Sequence, residues 1–270
     1  MTGLQQSVRS LRQAFRHFPV TFDYTDVSIQ QAYMFAYFPH YTQLLEYVLN
    51  QAGNDIQGNP PQDLLLFGSG PCPEIIGYLK YLNNRYPNQN FELNVSIFDI
   101  ASTHWQYSRD ITYNQIIPSI RNGHNIQNWN SKDFRFDVDL GKVTLSTSPK
   151  LVVYQNCLNE VNTSTYGTIR ANFIKLFSNM PSGSLLAIID FSEYPNVIEL
   201  IQSIQNDLSE KNGFVLLRDI DNGVIEMRSN YRYPTPIIKE NLLTGIPFEI
   251  QNGLIPRSKV KFTYSLIEKE

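Results

Sequence analysis

The chain has 270 residues, of which 42% are hydrophobic and 17% charged, with a net charge of -3. That balance suits one large α/β unit with an extra lobe, or two small domains, and excludes disorder as the dominant state. With a sequence pI of 5.8 it lacks the basic surplus of proteins that ride on phosphate backbones, which disfavours a nucleic-acid partner. The longest apolar runs, such as Leu185–Ile189, are too short to span a bilayer, and the polar N-terminus lacks the apolar core of a signal peptide. A cytoplasmic protein with no membrane partner is expected. The sequence has only two cysteines, Cys72 and Cys157, and scattered histidines. They offer neither a disulfide framework nor a cysteine-rich metal site, so no metal is expected.

Residues 1–57 read as a helical cap. Val8, Leu11, Ala14 and Phe15 recur at helical spacing, and a second run covers Ile29–Leu49, interrupted by Pro39. Gly58-Asn-Pro-Pro61 then punctuates the chain, and residues 58–270 form the expected main domain. There, short apolar runs alternate with helical periods. Strands are predicted at Leu64–Phe67, Leu93–Phe98, Phe134–Leu140, Leu151–Tyr154 and Leu185–Ile189. Helices are predicted at Pro73–Leu82, at Ser102–Ile117 with Ser102 as its cap, at Thr165–Phe177 and at Pro195–Leu208. Phe214–Arg218, Val224–Arg228 and Val260–Ile267 add further strands, including an antiparallel closing pair. Such alternation is the signature of a mostly parallel sheet covered on both faces, which binds ligands at the carboxyl ends of its strands.

The most informative segment is Asp63–Glu74, in which an apolar run ends in Gly68-Ser69-Gly70-Pro71 ahead of a helix at Pro73. Glycines let the backbone turn tightly and approach a ligand, and the helix start directs free N–H groups toward it. The next strand ends in Asp99, where a carboxylate can accept both hydroxyls of a ribose. Pro73 replaces the third glycine of a dinucleotide fingerprint, and Asp99 lies beyond the usual spacing of about 20 residues. No Gly-Lys-Ser/Thr follows, which excludes a P-loop.

These residues resemble the class I S-adenosyl-L-methionine (SAM)-dependent methyltransferases. The Asp63–Glu74 segment resembles their first motif, and Phe98-Asp99-Ile100 the acidic end of their second strand. Leu151–Val161 resembles their fourth-strand motif, and Pro181–Asp190 the following turn and strand. The resemblance implies a Rossmann-like α/β fold with a closing antiparallel strand, SAM as cofactor, and methyl transfer as the activity. It implies that Gly68, Ser69, Gly70 and Pro71 face the amino-acid part of SAM, that Asp99 holds the ribose, and that Ile100 and Trp105 flank the adenine or ribose. Asp137, Val138 and Asp139 are its candidates near the adenine amine, and Gln155 and Asn156 its candidates near the methionine portion.

On the acceptor side, Glu160 is the candidate base, with helix-terminus electrostatics as its alternative role. A carboxylate acceptor would need positioning and no base. The aromatic-rich N-terminal helices supply Tyr33 as a candidate to close over SAM and Tyr37 as a candidate substrate contact. The segment Arg228–Pro236 adds Arg228 and Tyr231 as further substrate candidates. Gln31–Tyr41 ahead of the glycine loop is also similar to the ribosomal small-subunit methyltransferase-like family, whose cysteine cluster this chain lacks. The resulting expectation is a methyltransferase of specialised metabolism acting on a small molecule or peptide, with O-methylation of a carboxylate as one form. The alternatives are an rRNA- or ribosome-associated methyltransferase, or a binding protein of this fold without activity.

Overall fold

A computed structural model describes residues 3–56, 58–135, 143, 147–226 and 259–270. The N-terminal segment forms α1 (Gly3–Ala14), α2 (Val27–Ala36), α3 (Phe38–Tyr41) and α4 (Leu44–Ala52). Asp26 caps α2 by accepting from the Ser28 N–H. Pro39, which cannot continue a helix, falls in the first turn of α3 and separates it from α2.

The sheet follows with β1 (Asp63–Phe67), β2 (Glu92–Asp99), β3 (Asn125–Asp133), β4 (Lys150–Gln155), β5 (Leu185–Phe191), β6 (Phe214–Glu226) and β7 (Lys259–Lys269). Between them lie α5 (Pro73–Arg85), α6 (Gln106–Ile111), a π-helical turn at Thr112–Ile116, α7 (Ile117–Ile120), α8 (Tyr166–Ser178) and α9 (Pro195–Ser209). The strand order is β3-β2-β1-β4-β5-β7-β6. Only β7 runs antiparallel to its neighbours, so the expected mostly parallel sheet with an antiparallel closing strand is present. The closing strand is inserted between β5 and β6, not at the edge.

Right-handed crossovers place the helices. The chain moves outward from β1 through β2 to β3, then restarts on the other side of β1 with β4 and moves to β5. These opposite directions put α5–α7 on one face and α8 and α9 on the other. The order reverses between β1 and β4, and the loops after these two strands flank the crevice where such sheets take ligands. β1, β4 and β5 are buried almost throughout, as expected of central parallel strands. Just before the β1 loop, Phe67 stacks between its register partners Phe98 and Tyr154, with ring centroids 4.6 Å apart on both sides.

Three expectations are corrected. The third strand of the sheet occupies Asn125–Asp133; of the predicted Phe134–Leu140, Phe134 and Arg135 follow that strand and 136–140 lie outside the described residues. As an edge strand with a polar, exposed sequence, Asn125–Asp133 carries little apolar pattern. The second main-domain helix begins at Gln106, not Ser102, because a turn comes first: the Asp99 carboxylate takes the Ala101 N–H, and the Ser102 carbonyl accepts from Arg109. Phe214–Arg218 and Val224 onward are one strand, β6, since register shifts near Arg218 carry the ladder through Asp219–Gly223.

Long-range hydrogen bonds tie the cap to the main domain. The Tyr194 hydroxyl donates to the Phe15 carbonyl (2.5 Å), the Val20 N–H to the Asn159 carbonyl (2.9 Å) and the Gln155 amide to the Tyr41 carbonyl (3.1 Å). Among the described residues, no helix is long and apolar enough to cross a membrane.

Candidate functional site

The crevice at the strand-order reversal holds a cavity of about 270 Å³, just below the roughly 300–1,000 Å³ typical of small-molecule sites. Its floor is the glycine turn. Gly68 and Gly70 both have left-handed backbones, with φ of 62° and 47°, which explains the residue type at each. A Cβ on Gly70 would also lie 3.2 Å from the Trp105 ring. The turn is held from outside the motif. Its Gly70 N–H donates to Asp99 (2.9 Å), its Gly70 carbonyl accepts from the buried Arg109, and its Pro71 carbonyl accepts from the Thr112 hydroxyl (2.8 Å).

At one end of the cavity stand Asp99, Ile100, Phe134 and Arg135. Each Asp99 oxygen accepts one backbone N–H, from Gly70 and from Ala101, leaving further acceptor positions free. Burial raises the Asp99 carboxyl above its ordinary range, against the lowering pull of those N–H groups. Ile100 is 66% exposed on the rim.

At the other end the β4 loop contributes Asn156, Cys157 and Glu160. Asn156 adopts the left-handed region (φ 53°), which Asn tolerates better than most residues. It is 5% exposed, and neither polar atom of its side-chain amide has a hydrogen-bond partner. Both atoms of this amide are therefore open to hydrogen bonding from the cavity side. Glu160 accepts a 2.5 Å hydrogen bond from Tyr24, and burial pushes its carboxyl up to about 8. The loop is fixed by Asp190 of β5, which is fully buried and accepts from the Leu158 and Asn159 N–H groups, the Asn159 amide and the Phe191 N–H. Burial raises Asp190 to about 6 despite these donors.

An aromatic wall joins the two ends. Tyr24 and Tyr33 of the N-terminal segment pack against Trp105, with ring centroids 5.5 and 5.4 Å away. Burial raises both tyrosine hydroxyls well above their ordinary range.

Of the residues singled out in the sequence, the cavity brings together Tyr33, Gly68, Gly70, Asp99, Ile100, Trp105, Asn156 and Glu160. Ser69 turns away to donate to the buried Glu74 (2.5 Å), whose carboxyl burial pushes up to about 8. Pro71 is not on the lining, and Gln155 points to Tyr41 because strand residues alternate in direction. Tyr37 is buried behind Tyr33, with ring centroids 5.7 Å apart. Asp137, Val138, Asp139, Arg228 and Tyr231 lie outside the described residues; the residues that follow the observed third strand into the cavity are Phe134 and Arg135. Both cysteines are buried with free thiols pushed up by burial, so neither is a ready thiolate. Among the described residues, no group of three or more His, Cys, Asp or Glu is placed to hold a metal.

Sequence reasoning missed Tyr24, Arg109, Thr112 and Asp190. Asp190 ends the fifth-strand run, where its position alone marked it for attention. Arg109 and Thr112 sit at helical spacing on the element after Asp99, but no sequence signal ties them to the glycine turn.

No protein-family model matches the chain, and no curated protein sequence matches it. Among solved structures it is similar to the plantazolicin methyltransferase BpumL in complex with a pentazolic desmethylPZN analog and SAH, at 10% identity and a TM-score of 0.45, covering 99% of this chain and 97% of that one. It is also similar to precorrin-6y C5,15-methyltransferase from Geobacter metallireducens GS-15, at 7% identity and a TM-score of 0.43, covering 84% and 88%. A third is a cyclopropane-fatty-acyl-phospholipid synthase-like protein from Lactobacillus casei ATCC 334, at 10% identity and a TM-score of 0.45, covering 86% and 92%. These likenesses are loose, and the fold assignment stands on the sheet order itself.

Proposed function

We propose that this protein binds SAM in the cavity at the strand-order reversal and transfers its methyl group to a small molecule or peptide. One arrangement carries the reading: a glycine turn with a carboxylate, Asp99, at one side and an unpaired buried amide, Asn156, at the other, around a single cavity. The residues fit the cofactor's chemistry. The free acceptor positions of Asp99 suit a pair of ribose hydroxyls, and the Asn156 amide, a donor and acceptor together, suits an amino-acid zwitterion. Ile100 and Phe134 offer apolar surface for the adenine, and residues 1–57 act as the lid.

When bound, SAM supplies a methyl group made electrophilic by its sulfonium. The chain's own contribution is alignment and the removal of water. Arg109, Thr112 and Asp99 hold the glycine turn in place from three sides, and Asp190 does the same for the β4 loop. The aromatic wall excludes solvent from between them. A polyanionic acceptor such as RNA fits poorly against Asp99 and Glu160.

The reading is tested by isothermal titration with SAM and with S-adenosylhomocysteine (SAH). Saturable binding of both is expected. A folded protein that binds neither overturns the proposal and leaves a binding protein of this fold with another ligand.

A further inference from the structure

We propose that the acceptor is an amine, presented to the cavity at the Tyr24–Glu160 pair, and that Glu160 takes its proton. The inference rests on the SAM reading and extends it to the other reactant.

The topology separates the two roles. Asp99 ends β2 and Glu160 follows β4, with β1 and its glycine turn between them. Two strand spacings amount to roughly 10 Å. With the ribose held at Asp99, the reacting end of the donor lies toward β4, and Glu160 is the carboxyl group there, since burial keeps the Cys157 thiol and the Tyr24 hydroxyl protonated.

The chemistry at that end suits a cation. Glu160 is backed by Tyr24, whose ring packs against Trp105 and lies edge-on to Tyr33, with centroids 6.3 Å apart. A carboxylate beside aromatic faces is a recurring way to bind an ammonium group. Among the described lining residues the only positive side chain is Arg135, and it stands at the Asp99 end. An ammonium placed beside Glu160 favours its ionised form. An anionic acceptor there would meet a like charge whenever Glu160 is ionised and no compensating cation from the described residues, so the lining favours an amine over a carboxylate.

Burial also favours the proton transfer. An ammonium facing an ionised Glu160 is an ion pair in a water-poor site. Passing one proton to the carboxylate leaves two neutral groups, which such a site tolerates at lower cost. The raised carboxyl of Glu160 has the same origin. The Tyr24 hydroxyl, 2.5 Å from Oε1, leaves Oε2 for the acceptor and fixes the carboxyl plane. The freed nitrogen lone pair then forms the N–C bond as the methyl's C–S bond breaks, and sulfur keeps the electron pair. The sulfonium charge passes to nitrogen, the product leaves as an N-methylammonium, and Glu160 returns its proton to water.

Binding to the SAH-loaded protein tests this, with 2-phenylethylammonium and phenylacetate as matched probes. The expected result is at least tenfold tighter binding of the ammonium probe. In Glu160→Gln, whose amide oxygen can still accept from Tyr24, the preference should shrink below twofold while SAH affinity stays within twofold of wild type. Formation of N-methylphenylethylamine from SAM, lost by at least a hundredfold in the variant, would support the proton-transfer step. Equal or tighter binding of phenylacetate, a preference that survives in the variant, or binding of neither probe overturns the amine proposal alone. Failure of the wild type to bind SAH overturns the donor reading as well, so the two failures are distinguishable.

Discussion

The two ends of the cavity are built by different means. The glycine-turn end comes mainly from consecutive stretches: a strand, its turn and the close of the next strand, joined by the bond from the Gly70 N–H to Asp99. The β4 end is assembled from distant parts of the chain. Glu160 takes its hydrogen bond from Tyr24, its loop hangs on Asp190 of β5, and Val20 of the N-terminal segment bonds the same loop. A site for a common cofactor can be carried by one local motif, whereas a pocket for a particular acceptor is shaped by whichever side chains tertiary folding brings to it.

If the ends divide the labour in this way, substitutions at each should affect different ligands. Asp99→Ala should weaken SAM binding at least tenfold, about 1.4 kcal/mol, by titration on a variant shown to be folded. An unchanged dissociation constant would remove the ribose anchor. Gly70→Ala should weaken SAM by about fivefold, because a left-handed backbone costs a residue with a Cβ about 1–2 kcal/mol and the new carbon crowds Trp105. Its melting temperature should fall by a few degrees; equal affinity and stability would mean the ring and turn adapt freely.

The smallest effect expected is a change in pH dependence. Glu74 is 2% exposed behind the glycine turn, and its carboxyl is raised to about 8. The folded chain therefore holds a proton that the unfolded chain releases above the ordinary glutamate value of 4.5. This stabilisation is complete below that value and is lost as the pH rises toward 8. Glu160, raised to about 8 as well, contributes with the same sign. Between pH 5 and 8 the wild-type melting temperature should fall, and in Glu74→Gln it should fall less. A slope identical to wild type would show that Glu74 ionises normally.

Much of the glycine-turn end was legible in the sequence because its cause is local. Gly68 and Gly70 are required by backbone geometry, and the run Leu64–Phe67 is apolar because a central parallel strand is buried on both faces. The third strand was misplaced for the converse reason: an exposed edge strand such as Asn125–Asp133 need not be apolar, and its hydrogen bonds to β2 leave no trace in composition.

By itself the sequence determined the class of fold, the glycine turn and the carboxylate that faces it, since periodicity and backbone sterics act over a few residues. Only the tertiary structure decided which strands are neighbours, that Gln155 turns away while Asn156 faces the cavity, and that Tyr24 meets Glu160 across the chain. The physical reason is the same in each case. Contacts between residues far apart in sequence are selected by the packing of whole elements, and no local pattern records which partner the packing will supply.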